Sequence, residues 1–320
     1  MIPASDLADR FRKDLRSVAP QARILAVAVS GGADSLALLL LAAAAAPGAV
    51  LAATVDHGLR AGSAAEAAAV ESLCARLSVP HRTLRVTVSR SGAGLQAAAR
   101  EARYAALGGW MRAEGADTLL TAHHADDQAE TLLMRLLRGS GVSGLAGIRQ
   151  GAAFPAAGRR GRIARPLLGW RREALESIVR AAGLEPADDP SNRDEAYDRA
   201  RLRRLLAQAP WLDPAPLARS AAALADAEEA LAATAERLFA ERCGEEGEHV
   251  RLDPAGLPRE LVRRLVLMAL RRLAPDAAPR GDQLTALIEA LRSGEAATLA
   301  GIKCTGGSAW RFEPAPPRRA

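Results

Sequence analysis

The chain has 320 residues, of which 49% are hydrophobic, so it is long enough for one medium-sized domain and a smaller second one. Its three cysteines, at positions 74, 243 and 304, are far apart, which excludes a disulfide framework and favours a reducing, cytoplasmic setting. A net charge of +6 permits a polyanionic partner, and an aromatic content of 3% argues against extensive base stacking. The apolar stretch over residues 36–50 is too short and too interrupted to predict a membrane span, so no membrane partner is expected.

The first predicted strand leads into a glycine-rich turn. An apolar run over residues 24–29 is typical of a buried parallel strand, and a helix is predicted over residues 36–46. Between them lies Ser30-Gly31-Gly32-Ala33-Asp34-Ser35, in which two glycines allow a tight turn and the helix start offers unpaired N–H groups to an anion. It is not a Walker A loop, since no Gly-Lys-Ser/Thr follows. The alternative is an ordinary corner in which Asp34 caps the helix.

Two later strands also end in polar residues. The run over residues 50–55 stops at Asp56-His57-Gly58, and the run over residues 117–122 leads into His123-His124-Ala125-Asp126-Asp127-Gln128-Ala129-Glu130-Thr131. In a parallel sheet these segments follow the carboxyl ends of strands, where ligands bind. The first is equally compatible with a plain turn. The second leaves three interpretations open: helix capping, a divalent metal site, or substrate binding.

The remaining pattern predicts alternating strands and helices, followed by a change of character after residue 210. Further helices are predicted over residues 5–18, 63–78, 95–114, 171–182, 217–243, 258–273 and 281–291, and further strands over 82–88, 163–168, 249–252, 298–302 and 309–312. Residues 151–162 are predicted to be a surface loop. The fold class is therefore α/β, a doubly wound parallel sheet over residues 1–210, with a smaller, mainly helical α+β domain over residues 211–320.

Taken together, the motifs resemble the tRNA(Ile)-lysidine synthetase family, within the PP-loop superfamily of ATP pyrophosphatases. The resemblance covers residues 24–204 and is carried by the segments at 30–35, 55–60, 95–104, 123–131, 138–145, 165–168 and 189–192. It implies an adenine nucleotide α-hydrolase-like fold. One departure is Ala200, which stands after Arg199 where the family commonly has asparagine.

The resemblance also implies a reaction. Such an enzyme binds ATP with Mg²⁺, adenylates C2 of the wobble cytidine in the CAU anticodon of tRNA(Ile), and lets free L-lysine displace AMP. The product is lysidine, and pyrophosphate is released in the first step. The second domain is expected to be an accessory, tRNA-binding one, and the oligomeric state stays open, with a homodimer as one alternative.

Roles for individual residues follow from the same resemblance. The ATP site is expected to comprise Ser30, Gly31, Gly32, Ala33, Asp34, Ser35, Asp56 and His57. Asp34 is also the expected Mg²⁺ ligand and a catalytic residue. Arg103 is expected to stabilise developing charge, and His123 to orient a phosphate or move a proton. Asp127 and Glu130 are expected to receive the ammonium group of lysine.

Three rival functions compete with this assignment. A tRNA 2-thiocytidine synthetase of the same superfamily would need Cys-x-x-Cys pairs, which the sequence lacks. A metal-dependent phosphohydrolase built on residues 123–127 would leave the glycine-rich turn unexplained. A non-catalytic RNA-binding module would release no pyrophosphate in response to lysine.

Overall fold

The computed structural model describes residues 3–58, 62–87, 95–158, 161–187, 198–209 and 211–316. It divides into two compact units, Met1–Ala225 and Asp226–Ala320. The division falls within a long helix, α9 (Pro214–Arg242), and lies after the boundary predicted at residues 210 and 211. None of the helices in these ranges combines the length and apolar character that a bilayer-spanning segment needs.

The first unit is a layered α/β structure. Its helices are α1 (Ser5–Val18), α2 (Ala33–Ala45), α3 (Ser63–Arg76), α4 (Leu95–Ala113), α5 (Ala125–Leu137), α6 (Val142–Leu145), α7 (Arg172–Ala181) and α8 (Asp198–Gln208), with a 3-10 turn over Pro155–Ala157. Its strands are β1 (Leu25–Ala28), β2 (Val50–Asp56), β3 (His81–Arg85), β4 (Thr118–Leu120), β5 (Gly151–Ala153) and β6 (Arg162–Ala164). The strand order is β3-β2-β1-β4-β6-β5, and the pairs are parallel except β5 with β6.

This strand order creates a crevice in the middle of the sheet. The chain moves outward from β1 to β3 and then returns to the other side of β1 with β4. Ligands of open α/β sheets bind outside the carboxyl ends of the strands at such a reversal. The segments after β1 and β4 are the glycine-rich turn and the His123–Thr131 segment, so the topology brings the two strongest motifs to one place.

Alternating side chains of the strands explain why helices cover both faces of the sheet. In β1, Leu25 and Val27 join a core with α1, α2, α3 and α7, while Ala26 joins a second core with Leu107 and Met111 of α4. A strand that is buried on both faces reads as a continuous apolar run, as residues 24–29 do. The doubly wound α/β fold predicted from the sequence is confirmed.

The second unit is an α+β structure built on an antiparallel sheet. Its elements are β7 (Cys243–Glu246), β8 (His249–Leu252), α10 (Arg259–Leu273), α11 (Gly281–Arg292), β9 (Ala296–Leu299), β10 (Ile302–Thr305) and β11 (Trp310–Pro314), with strand order β7-β8-β11-β10-β9. Trp310 and Phe312 form its core with apolar residues of α10 and α11. Helices and sheet thus form two packed layers around one core.

Several local predictions were wrong. The strand predicted over residues 163–168 ends at Ala164, and residues 166–169 form a turn. Gly151–Ala153, assigned to a surface loop, pairs with β6 as an antiparallel edge strand. Cys243–Glu246 is a strand that pairs with β8 and not a helix end. The single strand predicted over residues 298–302 is two strands, because the chain turns at Ala300 and Gly301, whose φ angles are 52° and 76°.

Candidate active site

Hydrogen bonds within the turn between β1 and α2 stabilise its conformation. The hydroxyl of Ser35 accepts from the Ser30 amide at 3.1 Å and donates to the Gly32 carbonyl at 2.9 Å. Gly31 has a φ of +87°, a conformation that suits glycine, and its carbonyl accepts from the Ala187 amide at 3.0 Å. The turn is therefore fixed before any ligand arrives.

The start of α2 supplies the donors of this turn. Gly32 is the extended N-cap and Ala33 the first helical residue, so the amides of the first helical turn have no partner inside the helix. The Ser30 amide is already used within the turn, which leaves the later N–H groups for an anion. A helix start of this kind is a favourable phosphate site, because the helix dipole adds to the hydrogen bonds.

His124 joins this turn to the helix that follows β4. Its side chain is fully buried at the N-cap of α5, where Nδ1 accepts from the Asp126 amide at 3.2 Å and the His124 amide donates to Asp127 Oδ2 at 3.1 Å. On the other side of the ring, Nε2 lies 3.4 Å from Asp34 Oδ2 and 3.5 Å from Asp127 Oδ2. Asp34, Asp126 and Asp127, gathered around this imidazole, form an acidic cluster.

The electrostatics of the acidic cluster follow from this arrangement. Burial lowers the pKa of His124, but the three carboxylates outweigh it and raise the pKa to about 9. In the neutral ring, Nδ1 carries no proton and accepts from the Asp126 amide. In the protonated ring, Nδ1–H points to Asp126 Oδ2, 3.5 Å away. The raised pKa of His124 favours the protonated ring. Burial raises the pKa of Asp34, yet the contact with His124 lowers it overall, so the carboxylate stays ionised.

The cluster keeps a surplus of negative charge and an open side. Three carboxylates surround one imidazolium, while the Asp34 and Asp127 side chains are 35% and 24% exposed. Asp126 already has other partners, since its Oδ2 accepts from the Arg172 amide at 2.9 Å and lies 3.5 Å from Arg171 Nε. Asp34 and Asp127 are therefore the carboxylates that can meet a cation.

Glu130 lies on the same helix but is paired with an arginine. Its side chain is 3% exposed, and Arg203 of α8 donates to both of its oxygens, at 2.9 Å from Nε and 3.4 Å from Nη2. Burial lowers the pKa of Arg203, but Glu130 raises it overall. A buried glutamate requires a partner, and sequence reasoning missed Arg203, which stands in an arginine-dense run that offered several equivalent choices.

The Arg103 side chain contacts the turn that follows β2. Its Nη2 lies 3.5 Å from His57 Nε2, and burial together with the charge of Arg103 lowers the pKa of His57. Asp56 accepts from the Gly58 amide at 2.9 Å, and this bond lowers the pKa of the Asp56 carboxyl. The structure thus brings Asp56, His57 and Arg103 together at the α4 side of the sheet.

The two adjacent histidines after β4 have different surroundings. His123 is half-buried, with Nδ1 3.0 Å from the Thr121 hydroxyl, and His124 is the buried contact to Asp34. The sequence prediction favoured His123. The linking role of His124 depends on the position of Asp34, on another loop, which sequence periodicity does not reveal.

The glycine-rich segment after α5 is tied back to that helix. Gln128 accepts from the Ile148 amide at 2.6 Å and donates to the Ile148 carbonyl at 2.9 Å. Gly147 has a φ of +62°, and a Cβ there would lie 2.4 Å from Gln128 Oε1. Only glycine fits this position. The predicted segments at Leu59-Arg60 and 189–192 lie outside the described residues, as do the side chains of Arg199 and Ala200.

Comparison with known proteins gives a family match and close relatives. A model of the PP-loop domain family matches residues 3–209. A tRNA(Ile)-lysidine synthase of Novosphingobium aromaticivorans is 47% identical over 318 residues, which cover 99% of this chain and 96% of that protein. One from Zymomonas mobilis is 45% identical over 295 residues, covering 92% and 89%.

A solved structure supports the fold independently. The U34-tRNA thiolase of Methanococcus maripaludis, solved with its [4Fe-4S] cluster, superimposes with a TM-score of 0.55. The match is 17% identical and covers 69% of this chain and 79% of that one. At this identity the likeness concerns the fold alone.

Proposed function

The chain belongs to the tRNA(Ile)-lysidine synthase family of PP-loop proteins, and on this premise we propose how its site joins L-lysine to C2 of the wobble cytidine in the CAU anticodon of tRNA(Ile). The enzyme is an ATP-dependent ligase that acts on tRNA. The observation that carries the proposal is the 3.4 Å contact between Asp34 and His124, because it joins an anion-binding turn to a cluster that suits a cation.

ATP binds with its phosphates at the start of α2. The free amides of that turn hold the phosphate oxygens, and Asp56 and His57, at the end of the neighbouring strand β2, complete the nucleotide site. The described residues contain no group of three or more histidine, cysteine, aspartate or glutamate side chains that could coordinate a metal ion. Mg²⁺ typically takes one or two carboxylates plus phosphate oxygens and waters, so Asp34 alone fits it. When bound, Mg²⁺ neutralises phosphate charge.

The first chemical step forms an adenylated cytidine. The C2 carbonyl oxygen of the cytidine attacks the α-phosphorus of ATP, an O–P bond forms, and the bond to pyrophosphate breaks. Negative charge grows on the phosphate oxygens, and Arg103 stabilises it from the α4 side of the sheet edge. His123, half-buried beside Thr121, orients the phosphate or moves a proton.

The second step brings lysine to the acidic cluster. Asp127 and Glu130 are three residues apart on α5 and so are neighbours on its surface. The partly exposed Asp127 receives the ammonium group of lysine, whereas Glu130 is buried and paired with Arg203 and therefore positions this part of the site instead of meeting the cation. The ammonium group passes a proton to water, and the free amine attacks C2 of the cytidine. A C–N bond forms, the bond between C2 and the adenylated oxygen breaks, and AMP leaves with that oxygen.

A thiolation reaction is less compatible with the cysteines. Burial raises the pKa of the Cys74, Cys243 and Cys304 thiols to about 12, and reactive sulfur chemistry uses thiolates. Ligation by lysine needs no protein thiol. We assign the second unit an accessory role in tRNA binding, and the enzyme acts in the cytoplasm, where its substrate is found.

The direct test supplies all substrates to the purified chain. It is incubated with ATP, Mg²⁺, radiolabelled L-lysine and a tRNA(Ile) transcript with the CAU anticodon. We expect label in the tRNA and one pyrophosphate released per lysine incorporated. A matched transcript with uridine in place of the wobble cytidine is expected to take up none. No incorporation into a tRNA that a related lysidine synthase accepts would refute the proposal.

A further inference from the structure

Arg165 is a buried arginine at the carboxyl end of β6. It is 9% exposed, its Nη1 donates to the Arg149 carbonyl at 2.7 Å, and its buried Nε has no hydrogen-bond partner. Within the described part of the chain, no carboxylate pairs with it. A buried guanidinium without a carboxylate is costly to the fold, so an anion from outside the protein is the natural complement.

A second guanidinium stands on the same face of the sheet. Ile163 belongs to the core shared with α4, and the period of a strand places Arg165 on that face too. There Arg100 of α4 lies with its guanidinium 4.9 Å from the ring centroid of Tyr104. Stacking uses the flat face of a guanidinium and leaves its in-plane N–H groups for an anion. Burial lowers the pKa of Arg165, and the charge of Arg100 adds to the effect.

The triphosphate of ATP does not account for this pair. The phosphate-binding turn follows β1 and leads into α2 on the opposite face, and β6 is two strands from β1. At a strand spacing of about 4.8 Å, the two carboxyl ends are roughly 10 Å apart. The amides of that turn already serve the phosphates of ATP.

The combination of arginines with an aromatic ring indicates RNA. Guanidiniums are among the side chains that contact backbone phosphates, and unpaired nucleotides stack on arginine planes and aromatic rings. An anticodon loop presents unpaired nucleotides, and its phosphates lie on both sides of the target base. These requirements match two arginines set beside the crevice and clear of the ATP turn.

We propose that Arg165 and Arg100 bind a backbone phosphate of an unpaired RNA nucleotide next to the one being modified, with Tyr104 holding Arg100 in place. The inference rests on the proposed function, since it takes tRNA as the substrate. It adds an RNA-binding subsite on the α4 side of the crevice, separate from the ATP turn and the acidic cluster.

The test compares three single substitutions, Arg165→Gln, Arg100→Gln and the control Arg162→Gln. Arg162 is exposed and is the first residue of β6, three residues before Arg165. We measure the Kd for tRNA(Ile) at several salt concentrations, and the KM for ATP and for lysine. Arg165→Gln and Arg100→Gln are each expected to weaken tRNA binding about tenfold and to reduce the slope of log K against log salt by about 1. In both variants the KM values for ATP and lysine are expected to change less than about twofold. In the control Arg162→Gln, the Kd for tRNA(Ile) is expected to change less than about twofold.

Two results would overturn the proposal. One is an unchanged Kd and salt slope for both variants. The other is a raised KM for lysine or for ATP with normal tRNA binding, which would assign the arginines to the lysine carboxylate or to the triphosphate. Should Arg165→Gln fail to fold, Arg100→Gln decides, because Arg100 is exposed. The binding measurement needs no turnover, so failure of the wild type to ligate lysine would count against the proposed function alone.

Discussion

The two sides of the crevice hold opposite charges in different ways. The acidic cluster is compensated from within, since His124 lies between its carboxylates and the Arg172 amide satisfies Asp126. On the α4 side, Arg100 and Arg165 form a basic cluster, in which Arg165 is buried with no carboxylate of the described residues paired to it. The first is organised before the substrate arrives, and the second needs an anion to complete it. We infer that the sides divide the substrates, with cations at the acidic cluster and RNA at the basic one.

Loss of Asp34 should break this division most severely. Asp34→Ala removes the proposed Mg²⁺ ligand and the partner of His124, so we expect lysine incorporation to fall about 10³-fold. Binding of tRNA should stay near normal, because the basic cluster is untouched. Steady-state incorporation and filter binding measure the two effects. Asp9→Ala, an exposed aspartate on α1, serves as the control. Turnover within tenfold of wild type would show that Asp34 is not part of the reaction.

The Glu130–Arg203 pair tests how much a buried carboxylate beside the acidic cluster depends on the arginine that neutralises it. Glu130→Gln leaves Arg203 without its carboxylate, and we expect the free energy of unfolding to fall by about 2 kcal/mol, because Arg203 is only partly shielded from water. Urea denaturation measures the change.

Arg203→Gln and the double substitution complete a thermodynamic cycle. The double variant should lose less stability than the sum of the two single variants, with a coupling of about 1–2 kcal/mol. Additive losses would mean that the two side chains do not stabilise each other.

The smallest expected effect lies at His57, beside Arg103. Burial and the charge of Arg103 lower the pKa of His57, so Arg103→Gln should raise it, which the titration of its ring protons by NMR measures. His57 binds a proton more readily in the unfolded chain than in the folded protein. The free energy of unfolding therefore falls as the pH drops below about 6.5, the ordinary pKa of histidine. This loss should become smaller in Arg103→Gln. A pKa that does not move would mean that Arg103 lies farther from His57 in solution.

Local chemistry made part of this site predictable. The turn at residues 30–35 could be identified because a strand, two glycines and a helix start follow each other directly in the chain. Helix α5 begins at Ala125 as expected, since Asp126 and Asp127 suit a first helical turn. The sequence therefore indicated the two segments that the fold brings to the crevice.

Partners that come from distant segments were not predictable. Arg203 reaches Glu130 across 73 residues, and several nearby arginines looked equivalent in the sequence. His123 and His124 are adjacent in the sequence, but only the His124 side chain is buried beside Asp34. This contact depends on the loop that carries Asp34, which lies far away in the sequence. The turn at Ala300 also gave no signal, because alanine rarely adopts a positive φ.

The division of substrates between the two clusters is tested most directly by equilibrium binding of L-lysine and of tRNA(Ile) to Asp127→Asn. Asp127 is the partly exposed carboxylate of the acidic cluster on α5. We predict that its substitution weakens lysine binding at least about tenfold, the loss of one charge-assisted contact, and leaves the Kd for tRNA unchanged. Unchanged lysine binding, or an equal loss for both ligands, would contradict the account.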